Sequence, residues 1–94
     1  MENRPSEAAG QLGKFISALQ KQRLEELGGP EARATEAVLK QAQALLTAVR
    51  DGSAGALLGE IPVAQHLGAD WLAANPWAVP QVQKIEAAIF GPGP

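Results

Sequence analysis

The chain has 94 residues, a formal net charge of −2, 46% apolar and 19% charged residues, two tryptophans, two phenylalanines, no tyrosine and no cysteine. That length holds one hydrophobic core and no second domain. The absence of cysteine excludes a disulfide framework and any thiolate metal site.

Surface scaling gives about 5,200 Å² folded against about 14,000 Å² unfolded, so roughly 64% of the surface is buried. The margin for independent folding is thin, and a domain in that position gains by pairing with a copy of itself or another chain. Residues 1–7 contain no apolar run resembling a secretory signal, and no stretch approaches 18 consecutive apolar residues. No membrane span is expected, and a reducing cytoplasm is the expected address.

From Ser6 to Leu27 the apolar residues Leu12, Ile16, Leu19 and Leu27, with Phe15 beside them, recur at helical spacing. Gly28-Gly29-Pro30 then ends one helix and opens the next, glycine suiting the C-terminal cap and proline the first helical position. The second helix is expected from about Pro30 to Arg50. Its inner stripe would be Ala34, Val38, Ala42, Leu45, Leu46 and Val49, with Gly52 as its stop. So short a connection makes the two helices antiparallel neighbours, a hairpin over residues 6–51. Its alanines, Ala44 and Ala48 included, permit close approach of a second hairpin, which makes a homodimer a reasonable expectation.

Residues 53–90 read as shorter helices punctuated by proline and glycine. Ser53 is placed to cap a turn through Leu58, ended by Gly59. Ile61-Pro62 opens a third helix of about 13 residues closed by Asn75-Pro76. Pro80 suits the first turn of a last helix reaching Phe90, with Val82, Ile85 and Ile89 inward, and residues 91–94 form a frayed, disordered tail. No period-two alternation indicates a strand. The expected fold is all-α: residues 1–94 form a single small bundle, a helical hairpin followed by two shorter helices packed across it.

Charge is unevenly spread. Residues 1–50 carry seven Lys/Arg and six Glu, whereas residues 51–94 carry only Lys84 against Asp51, Glu60, Asp70 and Glu86. So uncharged a second half is either folded back onto the first or presented to a partner.

Three functional readings compete. In the leading one the chain is a non-enzymatic protein-interaction module, an accessory subunit, regulator or chaperone-like adaptor working by helix packing. Its candidate contact residues are Leu67, Trp71, Leu72, Trp77 and Val79. Leu72 lies opposite the face of Val63, Leu67 and Ala74 on the expected third helix, so that helix is either buried on both sides or meets a partner. Trp71 and Trp77 bracket a helix break, where they either seal the corner of the core or anchor another protein, tryptophan being enriched at binding hot spots. Arg23 is also a candidate, since it falls about 20° from Leu12 at the helical repeat, a charge in the middle of an apolar stripe. Either its stem packs while the guanidinium reaches water, or it meets a carboxylate, with Glu31 the nearest intramolecular one.

In the second reading, Val63-Ala64-Gln65-His66-Leu67-Gly68-Ala69-Asp70 resembles the first helix and turn of a helix-turn-helix motif, and residues 63–90 would bind DNA. Asn75-Pro76 and Pro80 interrupt where a recognition helix would run, and Lys84 is the region's only cation, so no nucleic-acid partner is expected. The third reading is an enzyme using His66 and Asp70, four residues apart and so on one helical face. With one histidine, no cysteine and no tyrosine, nucleophilic and metal chemistry are poorly supplied, and no catalytic residue, metal or cofactor is expected.

Overall fold

The computed structural model describes the backbone of residues 4–26 and 28–90, and side chains from Glu7 onward within those ranges. Six α-helices follow in order: α1 (Arg4–Glu25), α2 (Pro30–Asp51), α3 (Ala54–Leu58), α4 (Val63–Leu67), α5 (Ala69–Ala74) and α6 (Val79–Phe90). A 3-10 turn, Pro76–Ala78, leads into α6. The described residues contain no strand, and none of their helices is long and apolar enough to cross a membrane.

The hairpin forms as expected. Pro30 is the first residue of α2, and Gly29 before it is extended. At the far end, Gly52 is left-handed (φ 84°, ψ 12°). Its N–H donates to Val49 O, and the Ser53 N–H donates to Ala48 O at 2.8 Å. These two bonds are the Schellman pattern, which satisfies carbonyls that the helix end would otherwise leave bare. Gly52 therefore turns the chain as well as ending the helix.

The chain then returns along the hairpin in pieces. α1 packs on α2 and on α6, and α4 packs on both α2 and α6, so the broken run α3–α5 closes a four-membered bundle. The molecule measures 43 × 21 × 21 Å, its length set by the 22-residue hairpin helices, each about 33 Å long at 1.5 Å per residue. Its accessible surface of 5767 Å² slightly exceeds the scaling expectation, as suits an elongated shape.

Leu12, Phe15, Leu19, Leu45, Leu58, Val63 and Ile85 are fully buried, so all four sides of the bundle contribute to one core. In α6, Val82 and Ile85 are buried and Ile89 half-buried, as the spacing predicts. Leu27 and the tail at 91–94 lie outside the described residues.

Four details differ from the sequence expectation. In α2, Ala34 faces solvent and Thr35 takes the inward place, because α2 packs on α1 along one flank and on α4 and α5 along the other. The buried set therefore widens to include Ala32, Leu39 and Ala48. The Ser53 side chain does not cap α3, since its hydroxyl and N–H both donate to Asp51 Oδ1.

The third difference is the largest. The expected 13-residue helix is two helices, α4 and α5, divided at Gly68 (φ 138°, ψ 95°). The break rotates the face that follows it, so Trp71 and Leu72 are both buried while Ala74 is exposed. Lastly, Arg23 pairs with Glu36 at 3.6 Å rather than with Glu31. Both partners are well exposed, and such a surface pair contributes about 0–1 kcal/mol.

Candidate functional site

The aromatic residues converge at the corner where α5 gives way to α6. Phe15 from α1, Trp71 from α5 and Trp77 from the 3-10 turn have ring centroids 5.9–6.5 Å apart, the two tryptophans edge-to-face at 79°. Edge-to-face pairs at such distances contribute about 0.5–1.5 kcal/mol beyond the area they bury.

Trp71 is buried, and its indole N–H donates to Thr35 Oγ1 at 3.1 Å. Asn75 holds the same corner from outside. Its amide donates to Trp71 O at 2.9 Å, and its Oδ1 accepts from Gln22 Nε2 at 2.9 Å. Gln22 also donates to Glu26 Oε2 at 3.0 Å, so the end of α1 is tied to the end of α5.

Trp77 completes the cluster but remains 45% exposed, with Val79 beside it at 36%. Of the candidate contact residues, then, Leu67, Trp71 and Leu72 lie in the core, and Trp77 and Val79 lie at the surface. Leu72 needs no outside partner, because the break at Gly68 turns it inward. Arg23 is also at the surface, at the opposite end of a short chain of contacts from the aromatic corner: it sits next to Gln22, which bonds Asn75.

His66 and Asp70 do not come together as one helical face, since Gly68 separates α4 from α5. Among the described residues, no hydrogen bond or ion pair joins them. His66 Nε2 is buried without a hydrogen-bond partner. No group of three or more His, Cys, Asp or Glu among the described residues is arranged to hold a metal ion. Within 63–90, the stretch that resembles a helix-turn-helix, the second helix is the six-residue α5, and Lys84 stands on α6.

Two residues that hold the corner and its neighbouring helix escaped the sequence reading. Thr35 had no place in the expected α2 stripe, which put Ala34 inward instead, yet it is buried and accepts the Trp71 indole N–H. Glu86 accepts the Val63 N–H at 3.2 Å and so caps α4 from α6, 23 residues away. No local pattern announces a bond of that range. Comparison with protein-family models, with curated proteins and with solved structures found no match.

Proposed function

We propose that the chain is a non-enzymatic protein-interaction module that works by helix packing, with Trp77 and Val79 as its contact residues. One observation carries the reading: Trp77 packs edge-to-face on the buried Trp71 yet leaves nearly half of its surface in water. An exposed tryptophan held by core neighbours binds with little further loss of side-chain freedom, the property that makes rigid aromatics effective anchors. The segment around it adds no charge to desolvate, since residues 71–83 contain no charged side chain.

The test compares bait proteins in extract of the source cell. Val79→Lys places a charge on the contact surface without touching the buried core, and should release a stoichiometric partner at unchanged melting temperature. Trp77→Ala should release the same partner, with some loss of stability from the aromatic cluster. Capture of nothing by the wild type, or a partner retained by both variants, overturns the reading.

A further inference from the structure

The hairpin tip, where α1 ends and α2 begins, carries two unlike clefts on its flanks. One is bordered by Arg23, Leu24, Ala32, Arg33 and Glu36, with Arg23 and Glu36 paired to each other. Leu24 is 69% exposed, more than any other large apolar side chain among the described residues. The other cleft, of about 320 Å³, has a mostly apolar floor including Ala34, Trp71 and Ala74, with Glu31 and Asp70 on its rim. One flank thus presents an apolar knob with Arg33 beside it, the charge of Arg23 being matched by Glu36. The other presents an apolar hole edged by carboxylates.

We infer that the hairpin tip is a self-association surface: two copies pair about a two-fold axis, Leu24 of each entering the Trp71 cleft of the other. Arg33 would then face Asp70 and Glu31 across the contact. Charge complementarity selects a second copy, because both halves of the match lie on the same chain and at the same end of it. A two-fold contact uses each half twice, whereas a head-to-tail contact would leave one of each open and continue into a filament. The opposed charges fix register and exclude the like-facing arrangement, while desolvation of Leu24 supplies the apolar gain. This surface differs from that of Trp77 and Val79 and does not depend on the partner proposed there.

Sedimentation velocity on the full chain tests the inference. Wild type should be a dimer at micromolar concentration, and raised salt should weaken it. Leu24→Ser should lower the dimer affinity at least tenfold without changing the melting temperature of the monomer, measured at concentrations too low for pairing, because the side chain is already in water there. Arg33→Glu and Asp70→Arg should each be monomeric alone and dimeric when mixed, since the mixed pair has one native and one reversed contact, both matched. A monomeric wild type overturns the inference, and so does an assembly larger than a dimer or a dimer that survives all three substitutions. Val79→Lys should leave the dimer intact, so loss of the Trp77 partner and loss of the dimer are separable results.

Discussion

Thr35 is the one buried polar side chain among the described residues, and it sits there with its hydroxyl accepting the Trp71 indole N–H. A buried donor stripped of its acceptor costs about 1–3 kcal/mol. Thr35→Val, nearly equal in shape, should therefore destabilise by that amount in urea unfolding, whereas Thr35→Ser should retain most of the stability. Equal losses in the two variants would mean that packing, not the hydrogen bond, holds Trp71. The same contact orients the indole so that its edge meets Trp77. A polar group inside the core thus holds the tryptophan against which the proposed contact residue Trp77 packs.

The elements differ in how they are held. α1 and α2 are long and share the largest interface, while α3, α4 and α5 have five or six residues each, too few to persist without tertiary contacts. Their geometry depends on positions between helices. A Cβ on Gly68 would lie 3.4 Å from Val38 Cγ2, and its φ of 138° is one that L side chains rarely adopt. Backbone strain of this kind costs about 1–3 kcal/mol. Gly68→Ala should accordingly lower stability by that amount, with amide exchange rising first in α4 and α5. Uniform exchange across α1 and α2 as well would show that the break is not a local hinge point of the fold.

For the whole molecule, Phe15 joins the hairpin to the aromatic corner: it is fully buried on α1 and meets both tryptophans. Phe→Ala in a core costs about 3–5 kcal/mol, against a total of about 5–15 kcal/mol for a domain. Phe15→Ala should leave the chain marginal at 37 °C, seen as a large drop in midpoint by circular dichroism and as loss of the edge-to-face tryptophan signal in the near ultraviolet. A folded variant with an unchanged near-ultraviolet spectrum would show that the corner is built without α1.

The all-α class, the hairpin, its boundary at Gly28-Gly29-Pro30, its stop at Gly52 and the last helix to Phe90 were legible from spacing and from proline and glycine alone. Each is a local matter: a 3.6-residue period, a fixed φ at proline, a left-handed glycine. What tertiary structure decided was orientation. The sequence around Gly68 is compatible with one continuous helix, and only the folded chain shows the break there (φ 138°, ψ 95°) that buries Leu72 and parts His66 from Asp70. The choice of Glu36 over Glu31 by Arg23, and the capping of α4 by Glu86, likewise depend on which helix lies opposite. Of the candidate contact surface, two residues of the second half are exposed and three are core, because apolar composition marks a side chain for burial or for contact without distinguishing the two. The packing of four helix runs around one core made that distinction.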